Sequence, residues 1–170
     1  MTRRKNSNVD NRAYKFRLYP NAQQTVLINK TFGCVRFVYN ALLSAKTEHY
    51  KKHGTALKKE VSEYKKTNAF LKEVDSLALA NAKLNLETAY KNFFDKRAKY
   101  PTFHKKGRND SYTTNNVNGN IEIVSSVKPN GASAPFGIKL PKLGVVKAKL
   151  HRNLGKNEKN KELHNFKNGR

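Results

Sequence analysis

The feature that most constrains the fold is a change in apolar spacing along the chain, from every second residue to every third or fourth, and back to every second. Near the start, Tyr14, Phe16 and Leu18 alternate with Lys15, Arg17 and Tyr19, so one side of a strand is apolar and the other cationic. Pro20-Asn21 ends that strand. The short period returns in residues 121–124, 137–140 and 145–150, with Pro141-Lys142-Leu143-Gly144 as the turn between the last two. A lone strand cannot bury its apolar face, so the first must pair with the later ones, and everything between them is an insertion. The expected class is α+β, a small β domain with a helical insertion of about three to four helices.

Within the insertion, Ile28, Phe32, Val35, Tyr39 and Leu42 recur at helical spacing and predict one amphipathic helix from Ala22 to about His53, stopped by Gly54. Gly33 inside that stripe costs about 1 kcal/mol relative to alanine, so a break or a close helix contact is expected there. A shorter helix is expected over residues 55–66, with Thr55 as its cap. Asp75 and Ser76 are the cap candidates for a long helix carrying Leu79, Ala82, Leu86, Tyr90, Phe93 and Arg97 on one face. Residues 109–120 hold five Asn and read as a loop. The organisation that follows is a disordered basic lead-in over 1–12, a first strand over 13–20, a helical domain over 21–108, the remaining strands over 109–152, and a basic tail over 153–170 that does not fold tightly.

Charge points to the partner. The chain has 35 Lys and Arg against 12 Asp and Glu, a formal charge of +23, far more than solubility needs. Its densest cationic segment, residues 96–108, contains Lys96, Arg97, Lys99, Lys105, Lys106 and Arg108, with no acid. Such a run neutralises phosphates and gives strong, salt-sensitive binding to nucleic acid. Tyr100, Phe103 and Tyr112 are candidates for base stacking on a single strand or irregular RNA. The strand cations Lys15, Arg17, Lys139, Lys147 and Lys149, with Lys142 in the turn, extend the candidate surface. On the long helix, Ser76, Asn81, Lys83, Asn85, Lys91 and Asn92 are expected on the exposed face, as types that bond base edges or phosphates.

Other chemistries lack support. No apolar run approaches the ~20 residues that span a bilayer, and the basic start has no apolar stretch behind it, as a secretory signal requires. The single cysteine, Cys34, rules out a disulfide within one chain and reads as a buried thiol, with a cytoplasmic compartment expected. The carboxylates are scattered rather than clustered for two metal ions. His49 and His53 have an i, i+4 spacing without a completing ligand and read as surface residues at a helix end. No cofactor, metal site or catalytic group is therefore assigned.

Several collinear motifs resemble one family. They are Tyr14-Lys15-Phe16-Arg17-Leu18-Tyr19-Pro20-Asn21, then Phe32-Gly33-Cys34-Val35-Arg36-Phe37-Val38-Tyr39-Asn40 within residues 29–40, and Leu71-Lys72-Glu73-Val74-Asp75-Ser76. They continue through Tyr90-Lys91-Asn92-Phe93-Phe94 at the end of 86–94, Tyr100-Pro101-Thr102-Phe103, Ser111-Tyr112-Thr113-Thr114, and Leu140-Pro141-Lys142-Leu143-Gly144 at the end of 138–144. Together they resemble the N-terminal region of the TnpB or OrfB proteins of insertion sequences, transposon-associated RNA-guided nucleases whose N-terminal region is often labelled helix-turn-helix.

The resemblance covers about residues 13–150. It implies that the β domain is a small partial β-barrel of the wedge type, interrupted by a helical recognition domain, and that the two together hold a guide RNA and read a short motif beside the DNA target. It puts motif contacts on the face around Ser76, Ala80 and Asn81 and on the loop from Tyr112 to Asn118, including Thr113, Thr114 and Asn116. Ala80 departs from the glutamine common in the family. The family's RuvC-like nuclease domain would follow, but the chain ends at Arg170, so a nucleic-acid-binding fragment without catalysis is the expectation. Its expected partners are guide-type RNA from its own element, duplex DNA, or both, with no membrane. The alternatives are half of a split endonuclease that needs a separate nuclease domain, and a decayed product.

Overall fold

The computed structural model describes residues 15–124 and 136–149, and the backbone of 166–167. The expected lead-in, Tyr14, Leu150 and all of the tail except 166–167 lie outside the described residues. Strand β1 (Arg17–Tyr19) leads into helix α1 (Ala22–His53), a short helix α2 (Val61–Thr67), a 3₁₀ turn (Ala69–Lys72) and helix α3 (Ser76–Phe94). Strands β2 (Ser111–Tyr112), β3 (Glu122–Val124), β4 (Gly137–Leu140), β5 (Gly144–Lys149) and β6 (Phe166–Lys167) follow. The class is α+β, as expected.

The first strand does pair with the later ones. Four strands form an antiparallel sheet in the order β1-β5-β4-β3, which is open among the described residues. Leu18, Ile138, Leu140, Val146 and Ala148 face inward over a cluster with Ile121 and Leu143. A second cluster fills the space between α1, the 3₁₀ turn and α3, with Val38, Leu42, Leu71, Leu79 and Leu86 completely or almost completely buried. Each such side chain contributes about 1.5–3 kcal/mol of apolar burial. Leu27 touches both clusters, and Ile28 joins the sheet to a third, Phe32, Ala78 and Tyr112. The first turns of α1 thereby couple helices to sheet.

That coupling is reinforced by the helix cap. Asn21 and Gln24 form a capping box: the Asn21 side chain accepts from Gln24 N at 2.8 Å, and Asn21 N donates to Gln24 Oε1 at 3.0 Å. The remaining Gln24 amide group donates to the carbonyls of Leu143 and Val145, at 3.1 and 3.0 Å. One side chain thus closes a helix end and fastens the β4–β5 turn.

Four local expectations need correction. Helix α1 runs unbroken through Gly33, and nothing lies within 4 Å of where its Cβ would be, so neither a break nor a close contact occurs. The thirty-two-residue helix has enough tertiary packing to absorb the glycine. Helix α2 starts at Val61 rather than 55, because Glu60 and Glu63 form the capping box, while the Thr55 hydroxyl meets His49 Nε2 instead. Helix α3 stops at Phe94, short of Arg97, because Lys96 turns left-handed at φ 58°. Ser111–Tyr112 within the expected loop pairs with Phe166–Lys167 of the expected loose tail, Tyr112 opposite Phe166.

Candidate nucleic-acid interface

The basic segment does not hang free. It is laid antiparallel along α1 and fixed at successive points on one stripe of that helix, Thr47, Asn40 and Arg36, whose spacings of seven and four put them on a common face. Tyr100 reaches Thr47, hydroxyl to hydroxyl at 2.9 Å, and Pro101 is buried beside it. Asn40 grips the backbone of His104 on both sides, donating to its carbonyl at 3.0 Å and accepting from its N–H at 2.9 Å. Asp110 accepts from Gly107 N at 3.1 Å and from Arg36 at 3.1 Å, the latter a half-buried ion pair.

The result is a strap whose apolar and polar anchors face the helix while its cations face water. Lys96, Arg97, Lys99, Lys105, Lys106 and Arg108 are all exposed. Arg97 is paired with Asp95. Among the described residues, the other five have no carboxylate at ion-pair distance. An array of unneutralised cations on a fixed backbone is costly in self-repulsion and is relieved by a polyanion. Phe103 is exposed in the same strap, whereas Tyr100 is tied down by its hydroxyl and by edge contacts with Tyr90 and Phe93.

The start of α3 meets the 111–116 segment differently from the expectation. Asn81 is buried, not exposed: its amide donates to Leu77 O, Thr113 O and Asn115 Oδ1, at 3.0, 3.1 and 3.3 Å. Thr114 is also buried, its hydroxyl donating to Asp75, the residue that caps α3 through Leu77 N. Tyr112 is buried edge-on against Phe32, and burial together with the charge of Asp75 pushes its hydroxyl far above the usual tyrosine range. Tyr112 is therefore core, not a stacking surface. Asn81, Thr113 and Thr114 form the joint between helix and loop, and Asn116 lies half-buried just beyond it.

The rest of that helix face is mixed. Ser76 is exposed and accepts from Lys65 at 2.8 Å. Lys83 is bound to Glu60, with Glu87 at 3.8 Å, and is largely covered. Lys91 is exposed and Asn92 half-buried, with the Asn92 carbonyl receiving the N–H groups of Arg97 and Ala98 where the chain turns into the strap. On the outer face of the sheet, Arg17 sits opposite Lys149, a like-charge juxtaposition that weakens the pair unless an anion intervenes, and Lys147 sits opposite Tyr19. Lys139 has Glu122 at 3.9 Å, Lys142 occupies the turn at φ 65°, and Lys15 adjoins β1.

The anchors Arg36, Asn40, Thr47, His104 and Asp110 escaped the sequence reading, because nothing local distinguishes them from surface polars. The near-parallel stacking of His104 on Tyr39 is visible only in three dimensions. Burial against that ring, with the Arg36 charge adding to it, lowers the His104 pKa. Cys34 is buried, as expected, and burial raises its pKa. His49 and His53 have ring centroids 4.6 Å apart, but among the described residues no three His, Cys, Asp or Glu side chains gather as a metal site. No described helix is long and apolar enough to cross a membrane.

The described residues thus combine an α+β fold with a fixed, exposed cationic strap. Residues 10–55 match the helix-turn-helix domain of OrfB proteins of the IS605 type. The described part of that span is one strand and one continuous helix, so the label names the family rather than the local geometry. Among relatives, a Streptomyces pristinaespiralis protein named for RNA-guided DNA endonuclease activity is 38% identical over 135 residues, covering 69% of this chain and 33% of its own. The InsQ protein of Escherichia coli, named for the same activity, is 35% identical over 107 residues, 59% of this chain and 27% of its own. The virulence protein VsdF of Salmonella dublin is 37% identical over 111 residues, 56% of this chain and 93% of its own. The chain belongs to the TnpB/OrfB family of insertion-sequence proteins. It spans about a third or less of the two endonuclease-named relatives.

Proposed function

We propose that this chain is a binding element of the TnpB type that grips RNA of its own insertion sequence, motif-bearing duplex DNA, or both, and does not itself cut. The observation that carries this reading is the strap: five cations without a carboxylate partner among the described residues, on a backbone held along α1 by Thr47, Asn40 and Arg36. The cationic outer face of the sheet, Arg17, Lys147 and Lys149, gives a second stretch for a polyanion to follow. In this reading the helical segment 21–108 acts as the recognition part, and the strands within 13–20 and 109–152 act as the wedge part. Cleavage belongs to a nuclease domain of the kind implied by the names of the longer relatives, and no residue here is assigned to it.

The test is binding of the purified chain to RNA from the right end of its element and to an unrelated RNA of equal length, titrated across salt. A preference for the element's RNA that survives physiological salt is expected. Equal, salt-erased binding to both would leave only non-specific charge.

A further inference from the structure

The strap's cations suit phosphate, but one large apolar side chain beside them serves neither phosphate nor the core. Phe94, the last residue of α3, is 72% exposed, more than any other large hydrophobic side chain among the described residues. It is nevertheless not a loose ring. Tyr90, Phe93, Phe94 and Tyr100 form a closed cycle of ring contacts: Phe94 lies 5.3 Å from Phe93 and 6.4 Å from Tyr90, and both of those touch Tyr100, at 5.2 and 5.7 Å. Tyr100 is in turn bonded to Thr47 on α1. Phe94 is the outermost member of a four-ring block braced against two helices, supported from behind and open in front.

The surroundings select what can cover it. Lys91, Lys96, Arg97 and Lys99 lie within five residues of Phe94, and the one acid among them, Asp95, is engaged by Arg97. Lys96 is held in the left-handed region, where glycine would be cheaper, and its N–H returns to Phe93 O at 3.0 Å. That turn sets Lys96 two residues past Phe94, at the point where the strap begins. An apolar protein surface has no use for so many cations adjoining Phe94 in the chain, whereas a nucleotide supplies both a π-face and a phosphate. Bases in duplex DNA keep their faces stacked inside the helix, while RNA loops and bulges turn them out.

We infer that Phe94 is a stacking platform for an unpaired base of RNA, with Lys96 and Lys99 placed for the adjoining phosphates. This rests on the nucleic-acid-binding reading above and adds to it a site that recognises single-strandedness. Stacking on the platform is indifferent to base identity, since every base offers a π-face.

The experiment measures binding of a short unstructured RNA, of the same sequence as single-stranded DNA, and of the RNA paired with its complement, to the full chain and its Phe94→Ala and Phe94→Trp variants. Phe94→Ala should weaken single-stranded RNA binding by about 5-fold to 150-fold, the range that stacking one base supplies. Its salt dependence should stay unchanged, because every phosphate-binding cation is still in place. Phe94→Trp should retain the affinity, and the duplex should be affected little. Equal binding of Phe94→Ala to single-stranded RNA, a loss seen with DNA but not RNA, or a loss accompanied by a lowered melting temperature in Phe94→Ala would overturn the inference. If the unaltered chain fails to bind any nucleic acid, the underlying reading fails instead.

Discussion

The ring of His104 lies nearly flat on that of Tyr39, with centroids 3.9 Å apart and planes 11° from parallel. Because Asn40, the next residue on α1, bonds both the N–H and the carbonyl of His104, the middle of the cationic strap is fixed in position and orientation by two adjacent helix residues. The cations on either side of His104 are thereby presented from a preorganised backbone, which reduces the ordering cost of binding.

Replacing Asn40 with Ala removes both backbone bonds at once. Such bonds in a partly exposed setting contribute about 1 kcal/mol each, so a modest loss of global stability is expected. The sharper readout is hydrogen exchange: amides of residues 102–106 should exchange faster in Asn40→Ala while those in the middle of α1 do not change.

The stacked His104 also makes stability depend on pH. Burial and Arg36 hold its folded pKa below the ordinary 6.5, so as pH falls the unfolded chain binds the proton first. The stabilisation by the neutral ring is complete above about pH 6.5 and declines as pH drops through the folded value. Urea midpoints measured between pH 5 and 8 should fall on the acid side, and the fall should be smaller in His104→Phe.

At the α3–loop joint, Thr114→Val keeps the shape but leaves the buried Asp75 carboxylate without that hydroxyl. A cost of about 1–3 kcal/mol is expected, and Thr114→Ser should recover most of it. Thermal unfolding of the pair of variants checks this, and equal stability of Val and Ser would show that the bond is energetically idle.

Gln24 separates its two roles by chemistry. Gln24→Glu can still complete the capping box with Asn21, but it aims a carboxylate oxygen at the carbonyls of Leu143 and Val145, where an N–H group now points. It should destabilise the protein at least as much as Gln24→Ala, which also loses the Gln24 half of the capping box while keeping the bond from its backbone N–H to Asn21. Urea unfolding of both variants tests whether the tie to the β4–β5 turn outweighs the helix cap.

Elements whose signal is local were legible in the sequence. Alternation around Phe16 and Leu18 marked β1, the stripe through Phe32, Tyr39 and Leu42 marked α1, and Asp75 marked the start of α3. What failed were features created by distant parts of the chain. Asn81 sits among residues that read as an exposed polar face, and it is buried because Thr113 and Asn115, more than thirty residues later, close over it. Tyr112 looks like a stacking aromatic beside a basic block until Phe32 covers its ring. The basic block itself was evident from composition, but its course along α1 depends on pairings such as Asn40 with His104 that leave no periodic trace.

If the strap's exposed cations bind phosphate, removing them must change how affinity responds to salt. That response is read from RNA binding across a salt series by the unaltered chain and by the triple variant Lys105→Ala, Lys106→Ala, Arg108→Ala. The slope of log affinity against log salt should become shallower by about 2 to 3, at roughly 0.7–0.9 for each phosphate no longer neutralised, with affinity lowered most at low salt. Two parallel lines of equal height would take the strap out of the interface and overturn the proposed function's chief support.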